Sequence, residues 1–445
     1  MRDEDFRWVL ADWKTRKLPS VIEREIKLPL DPTYIVTVTG PRQAGKTYRL
    51  FQLVGELMAL GVPRSNILYV NFEHERLRRL DANDLEDMVK VYYEMFEPDV
   101  SRPIYLLLDE VQLVNDWDKW VRRVHDSEKY KIYITGSTSK LTSKEIADAL
   151  RGRSVDYTVF PFSFREFIKA KRVEIRDPET LSYLEERGIV LRLLREYLVY
   201  GGFPRVVLAE TPEEKRALLK SHYNAIFYRD LVERCRLDPG ILDLVLSSLV
   251  TGATGLFSVS KLYNFAKSLG YRTSKAKLIE YVECARQAYL VLLSEIYSPT
   301  IRNRKQYPKK AYIIDNGIIT TLSTESTENL GKLMENIVAV ELARNGYTLN
   351  YWREYGKREG PEVDFVITEG QRPRQLIQVT YASSKTEIKP REKAALIKAS
   401  QELQTTHALV ITWDLKAQEQ QGDLKITYIP LWQWLLQPQK YLQPV

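Results

Sequence analysis

The sequence predicts an α/β protein that begins with a parallel β-sheet covered by helices. Three observations support this fold class. Apolar, strand-like runs alternate with helical patterns over the first 167 residues. The glycine-rich segment GPRQAGKT (40–47) directly follows the β-branched run YIVTVT. The run YLLLDE (105–110) is continuously apolar before two acids, which is typical of a strand buried on both faces of a parallel sheet.

The totals are those of a folded protein of two to four domains. Hydrophobic residues make up 44% of the 445 residues, charged residues make up 28%, and the net charge of +7 favours an acidic partner only weakly. Two cysteines, Cys235 and Cys284, cannot form a zinc site alone, and we expect free thiols in a reducing cytosol. The amino terminus lacks the apolar core of a signal peptide, and the apolar stretch 241–259 is too polar to span a bilayer. We therefore expect a cytoplasmic protein with no membrane partner.

The patterns divide the chain into four predicted parts. Residues 1–167 carry the alternating strands and helices, and residues 168–250 are a helical lid or linker. Residues 251–328 show two helices, a turn between them and two strands, whereas residues 329–445 return to an α/β pattern. The first and last parts are therefore predicted to be separate α/β domains.

The glycine-rich segment predicts a phosphate site. It matches G-x-x-x-x-G-K-[ST] in full and lies between a strand and a helix, so that backbone N–H groups and the helix amino terminus face the phosphates. Lys46 is expected to neutralise the β and γ phosphates of ATP, and Thr47 to ligate Mg²⁺. The residues predicted to bind the nucleotide are Gly40, Pro41, Arg42, Gln43, Ala44, Gly45, Lys46, Thr47 and Tyr48. Residues 1–167 are thus predicted to be a P-loop ATPase domain.

Acids at the end of the second apolar run predict the rest of the catalytic site. Asp109 is expected to hold the hydrated Mg²⁺, and Glu110 to polarise the attacking water as a general base. A third strand, YITGS, ends in Ser137, which is expected to contact the γ-phosphate or the water. In LRGRS, Arg153 in preference to Arg151 is expected to reach a γ-phosphate, either its own or that of a neighbouring molecule.

The segment after residue 257 has the outline of a winged helix. Two helical patterns separated by Gly270 are followed by two strands that bracket a basic segment. On double-stranded DNA, the second helix would enter the major groove while cations of the wing contact phosphates. The candidate contacts are Lys275, Lys277, Arg302, Arg304, Lys305, Lys309 and Lys310. Winged helices also serve as protein-packing modules, so binding to protein is the alternative.

A predicted hairpin near the carboxyl terminus has part of a nuclease pattern. Metal-dependent nucleases place an acid on one strand and an acid-x-Lys triplet on the next. In EVDFVITEGQRPRQLIQVTY the strand acid is Asp364, but the triplet is Gln378-Val379-Thr380. A Gln amide is a weaker ligand for hard cations than a carboxylate, and Thr380 cannot stabilise the charge of the transition state. An inactive scaffold is preferred over an active nuclease or an ordinary hairpin.

Taken together, these stretches resemble a prokaryotic family of AAA-like P-loop ATPases whose carboxyl-terminal half is a conserved domain of unknown function. The stretches that carry the resemblance, from about residue 20 to 385, are GPRQAGKT, YLLLDEVQ, YITGSTSKL, LRGRS, PFSFREF, YGGFP, YRDLVER, YIIDNGI and EVDFVI. The resemblance implies an ATPase domain, a winged helix and a terminal restriction-endonuclease-like domain. In that last domain it implies that Glu335 is the acid of the leading helix, with Asp364 on the strand and Gln378 and Thr380 in the places of the acid and Lys.

These features favour an ATP-driven switch that acts on DNA. Its partners would be ATP or ADP and double-stranded DNA, and it would work as a monomer or as a homo-oligomer. One alternative is an ATP-regulated DNA nuclease of a mobile element or defence system. The other is a signalling ATPase whose carboxyl-terminal domains bind proteins.

Overall fold

A computed structural model of the chain describes residues 2–136, 143–175, 184–323, 329–354 and 360–442. It has two compact units. The first comprises residues 1–160 together with 229–234, and the second comprises 161–228 together with 235–445. The predicted boundaries near 167, 250 and 328 stay predictions, but residues 229–234 belong to the first unit rather than to a separate helical part.

The first unit is a parallel sheet of five strands in the order β2-β3-β4-β1-β5. The strands are β1 (Ile35–Thr39), β2 (Ile67–Asn71), β3 (Ile104–Asp109), β4 (Tyr130–Thr135) and β5 (Ser154–Thr158). The helices are α1 (Arg2–Thr15), α2 (Lys46–Ala59), α3 (Ala82–Phe96), α4 (Trp117–Asp126) and α5 (Ser143–Leu150). Every residue of β1 and β3 is buried, as the continuous apolar runs predict. The predicted α/β fold with its parallel sheet is therefore confirmed.

The sheet order determines which strand ends meet. Because all five strands are parallel, β1, β3 and β4 end at the same edge, with β4 between the other two. At that edge Gly40 has a φ of 133°, and a side chain there would collide with the backbone carbonyl of Val159. Gly45 has a φ of 99° and precedes α2 directly. Both glycines are thus required by the backbone of the loop.

The second unit begins with helices and continues with two mixed sheets. Its helices are α6 (Phe164–Ala170), α7 (Leu184–Tyr200), α8 (Pro204–Leu208), α9 (Pro212–Ala225), α10 (Pro239–Thr251), α11 (Val259–Ser268), α12 (Lys275–Gln287), α13 (Ile301–Gln306), α14 (Asn316–Leu322), α15 (Leu330–Arg344), α16 (Pro390–Leu403), α17 (Leu431–Leu436) and α18 (Pro438–Tyr441). A π-helical segment, Ile226–Glu233, follows α9. Its last residues belong to the first unit.

The first sheet of this unit has the order β10-β9-β7-β8-β6 and the second has the order β11-β12-β13-β15-β14. The strands are β6 (Leu256–Phe257), β7 (Val291–Ile296), β8 (Lys309–Ile313), β9 (Asn350–Arg353), β10 (Glu362–Val363), β11 (Phe365–Glu369), β12 (Arg372–Thr380), β13 (His407–Thr412), β14 (Ala417–Gln421) and β15 (Leu424–Pro430). β7 and β8 are antiparallel, and the short helix α13 lies in the connection between them. β11 and β12 form the predicted hairpin, in which Phe365 pairs with Ile377.

The two cysteines are not free thiols, so that prediction is wrong. Cys235 and Cys284 are joined in a disulfide, with their Cα atoms 6.6 Å apart. Cys284 lies on α12, and Cys235 precedes α10, which packs against α12. The pairing depends on this packing and cannot be inferred from a sequence separation of 49 residues.

Two of the segments that carry the family resemblance meet at a buried carboxylate in the second unit. The backbone N–H groups of Gly202, in YGGFP, and Gly317, in YIIDNGI, donate to Asp315 at 2.6 and 2.9 Å. Burial raises the pKa of Asp315 to about 7. The carboxylate of Asp315 therefore joins these two segments within the second unit. In the part of the chain that the structure describes, no helix is long and apolar enough to cross a membrane.

Candidate nucleotide site

The glycine-rich loop buries the lysine that follows it. Lys46 is 7% exposed, and its Nζ donates to the carbonyl oxygens of Gly40 and Pro41 at 3.0 and 3.1 Å. Burial lowers the pKa of Lys46, although the carboxylates of Glu110 and Asp109 act against the shift. The ammonium is thus held inside the curve of the loop, where phosphates are expected to bind.

Asp109 lies at the centre of a hydroxyl network at the same edge of the sheet. Thr47 Oγ1 and Tyr69 OH each donate to its Oδ2 at 2.8 Å, and Thr135 Oγ1 donates to its Oδ1. Burial raises the pKa of Asp109, and the hydrogen bonds from these hydroxyl groups oppose the shift. A hydroxyl and a carboxylate side by side are the oxygen ligands that Mg²⁺ prefers, so the two residues fit the predicted metal site.

Glu110 leaves the strand in an unusual backbone conformation. Its φ of 58° is left-handed. Residues other than glycine rarely adopt this conformation, and those that do are concentrated at functional sites. Thr135 Oγ1 accepts from its backbone N–H at 2.9 Å, and Gln112 donates to its carboxylate. The structure therefore brings Lys46, Thr47, Asp109 and Glu110 to one edge of the sheet.

Sequence reasoning missed three of the residues that support this site. They are Tyr69, Gln112 and Thr135. Thr135 was identifiable in principle, because it is the polar residue that ends β4, two positions before the predicted Ser137. Ser137 itself lies outside the described residues. Tyr48 is 53% exposed on α2, where its ring packs edge-on against Phe51.

The prediction that Arg153 reaches the phosphate of its own molecule is wrong. Arg153 precedes β5, whose first residue pairs with Ile35 at the start of β1, whereas the glycine-rich loop follows the end of β1. Five residues of extended strand separate these levels by about 16 Å. Arg153 instead forms an ion pair with Asp126, at 2.8 and 3.0 Å. Its role toward a neighbouring molecule stays a prediction.

The predicted DNA-binding cations differ in exposure. Lys275 and Lys277 are exposed in the first turn of α12, and Arg302 is exposed on α13. The wing lysines Lys305 and Lys309 both face Glu295, at 3.7 and 2.7 Å. Their positive charge is therefore partly neutralised. Arg304 lies on α13 and is half-buried.

Lys310 is not a DNA contact, and that prediction is wrong. Its side chain is 2% exposed, and its Nζ lies 2.9 Å from Asp364, 3.1 Å from Glu335 and 2.8 Å from Glu362. Desolvation would lower the pKa of Lys310, but the carboxylates outweigh it and raise that pKa well above its ordinary value. Burial and the charge of Asp364 raise the pKa of Glu335. Lys310 is thus the internal counter-ion of this acidic cluster.

Gln378 and Thr380 complete the surroundings of the cluster. Gln378 Nε2 and the backbone N–H of Val379 donate to Asp364 Oδ2 at 2.7 and 3.0 Å. Thr380 is buried and hydrogen-bonds Glu392. With Lys310, these groups use both oxygens of Asp364. Over the described ranges, no group of three His, Cys, Asp or Glu residues could hold a metal ion.

Three family models match consecutive parts of the chain. The AAA domain family matches residues 32–168, and domains of unknown function match residues 191–329 (DUF8612) and 330–434 (DUF4143). An uncharacterized protein of Methanocaldococcus jannaschii is 32% identical over 435 residues, which are 96% of this chain and 94% of that protein. One from Haemophilus influenzae is 32% identical over 338 residues, which are 76% of this chain and 80% of that protein. Among solved structures, the Walker-type ATPase of Pyrococcus abyssi has 14% identity and a TM-score of 0.44, over 72% of this chain and 95% of that one.

Proposed function

The chain belongs to a prokaryotic family of P-loop ATPases that carry an AAA domain, and we propose that it is an Mg²⁺-dependent ATPase that works as a nucleotide-driven switch on double-stranded DNA. The observation that carries the proposal is the hydrogen-bond network at the sheet edge. It joins Thr47 to Asp109 at 2.8 Å, and it holds Glu110 through Thr135 at 2.9 Å. The buried ammonium of Lys46 lies beside it, bound to the loop carbonyls of Gly40 and Pro41.

Each residue of the network has one task in hydrolysis. Lys46 would exchange its loop carbonyl partners for phosphate oxygens, which bear more negative charge. Thr47 and Asp109 would hold Mg²⁺, and the ion would neutralise phosphate charge when bound. Glu110 would take the proton of the attacking water, and Thr135 would keep the backbone of Glu110 in place.

The proposed DNA contact is mainly the start of α12. Lys275 and Lys277 are exposed there, next to the helix amino terminus, which itself favours phosphate. Arg302 is exposed on α13, whereas Lys305 and Lys309 both face Glu295. The contact with phosphate is therefore expected to depend more on α12 than on the wing.

The DNA proposal is tested by the ATPase rate with and without double-stranded DNA over a series of salt concentrations. Stimulation by DNA is expected to weaken steeply as salt rises, because cations released from phosphates drive binding. The double substitution K275Q/K277Q should lower the slope of log affinity against log salt by about 1.8, or 0.9 for each contact.

A matched control removes two charges from the wing instead, as K305Q/K309Q. Its slope should change less, because Glu295 already offsets part of the charge of those two lysines. Stimulation that is absent or independent of salt would contradict DNA binding and favour the protein-binding alternative. The nuclease alternative is disfavoured, because Gln378 places a neutral amide beside Asp364 where a metal-dependent nuclease has a second carboxylate.

A further inference from the structure

One residue of the glycine-rich loop is bound to a distant part of the chain. The guanidinium of Arg42 donates to the carboxylate of Asp230: Nη2 lies 3.0 Å from Oδ1, and Nε lies 3.3 and 3.4 Å from the two oxygens. The two residues are 188 positions apart. The side chain of Asp230 is fully buried, and that of Arg42 is 17% exposed. This is a two-point, desolvated ion pair at the edge of the proposed phosphate site.

The segment that supplies Asp230 has an unusual place in the chain. Residues 229–234 belong to the first compact unit, although the residues on both sides, 228 and 235, belong to the second. Most of the segment belongs to the π-helical stretch Ile226–Glu233. π-Helices are rare, and those that occur are often found at functional sites. Leu231 is completely buried next to Asp230. A change in the position of Arg42 therefore acts on residues 229–234, which are covalently continuous with the second unit on both sides.

Other charged side chains act on both members of this ion pair. Glu110 and Glu73 attract its guanidinium in addition to Asp230, while Lys46 and Arg234 face Asp230. A nucleotide adds several negative charges to the loop that carries Arg42, and each phosphate can accept two parallel hydrogen bonds from a guanidinium. A phosphate bound in this loop would therefore compete with Asp230 for the guanidinium of Arg42.

We propose that Arg42 is shared between Asp230 and the phosphates of the bound nucleotide, so that residues 229–234 sense the nucleotide state. The proposal rests on the proposed function, because it needs a nucleotide in the glycine-rich loop. Bound ATP draws Arg42 from Asp230 and releases the segment, and loss of the nucleotide restores the ion pair. The Asp230 carboxylate is then a regulatory competitor and not part of the catalytic machinery.

The sign of one substitution separates this role from a simple positioning role. If Asp230 competes, D230N frees Arg42 and nucleotide binds more tightly, by about fivefold or more, since the binding-competent fraction rises. If Asp230 only positions Arg42 toward phosphate, D230N weakens binding. A fluorescent ATP analogue titrated into the full chain measures the affinity.

Two further variants exclude a general effect of charge. E73Q removes another carboxylate whose charge acts on Arg42, and its effect should be smaller than that of D230N. In the R42A background, D230N should change the affinity for nucleotide by less than about twofold, because the guanidinium for which Asp230 and phosphate compete is absent. Weaker binding in D230N, or equal tightening with and without Arg42, would overturn the proposal.

Hydrogen exchange of the wild-type full chain provides a second test that needs no variant. Exchange of the amides of residues 226–234 should rise when ATP and Mg²⁺ are added. Exchange that is unchanged while ATP is bound would overturn the sensing role alone. If the wild-type chain binds no ATP, or if K46A binds it equally well, the proposed function fails and this inference fails with it.

Discussion

Replacing Lys46 with alanine is expected to lower the affinity for ATP by at least about 100-fold, because a buried ammonium that contacts two phosphates is worth roughly 3 kcal/mol. Lys46 is 7% exposed, and only loop carbonyls hydrogen-bond its Nζ among the described residues. Titration of the purified variant with a fluorescent ATP analogue, in the presence of Mg²⁺, measures the loss.

A surface lysine of the same unit provides the control. Lys90 lies on α3, is exposed and pairs with Asp87 at 2.9 Å. K90A removes the same charge and side chain, and its affinity for ATP should stay within about twofold of the wild type, since surface ion pairs contribute little. An affinity of K46A close to that of K90A would contradict the phosphate site.

Replacing Lys310 with methionine is expected to be the most destabilising single change in the second unit. It leaves Glu335, Glu362 and Asp364 without their shared ammonium in a buried cluster. Removing one partner of a buried ion pair costs about 3–5 kcal/mol, which lowers the midpoint of thermal unfolding by about 10 °C. Differential scanning calorimetry of the full chain would show the shift in one of its transitions.

The size of this loss should depend on pH in a defined direction. Burial and Asp364 already raise the pKa of Glu335, so the folded state binds protons at a higher pH than the unfolded state, and it loses stability as pH rises through that pKa. Without Lys310 the carboxylates repel one another more strongly, and their protonation relieves more of the cost. The variant should therefore be less impaired at pH 5 than at pH 8.

The neighbouring lysine is the matched control for this prediction. Lys309 pairs with Glu295 at a partly exposed site, 2.7 Å away. K309M should move the unfolding midpoint by no more than about 2 °C at either pH. Equal effects of K309M and K310M, or a loss for K310M that grows as pH falls, would show that Lys310 does not neutralise the cluster.

The amino-terminal site was predictable because its signals are local. The β-branched run before Gly40 and the apolar run before Asp109 each specify a buried parallel strand and where it ends. Parallel strands end at the same edge of the sheet, and the strand order, with only β4 between β1 and β3, then brings Thr47 to Asp109.

The remaining features depend on contacts between distant residues. Lys310 looks like a wing cation in sequence, and only the pairing of β7 with β8 and the packing of α15 bury it beside residues 25 and 54 positions away. The distance of Arg153 from the phosphate site likewise depends on a long-range contact, the register of β5 on β1. Asp230 lies in YRDLVER, one of the segments that carry the family resemblance, but nothing in the sequence indicates its pairing with Arg42, which lies 188 positions away.

The rate of ATP hydrolysis by E110Q, measured as phosphate release with Mg²⁺ at saturating ATP, tests the central claim most directly. The substitution keeps the size of the side chain but removes the base that would take the proton of the attacking water. We expect kcat to fall by about 100-fold or more while the Kd for ATP stays within about threefold of the wild type. Hydrolysis by E110Q at the wild-type rate would contradict the account.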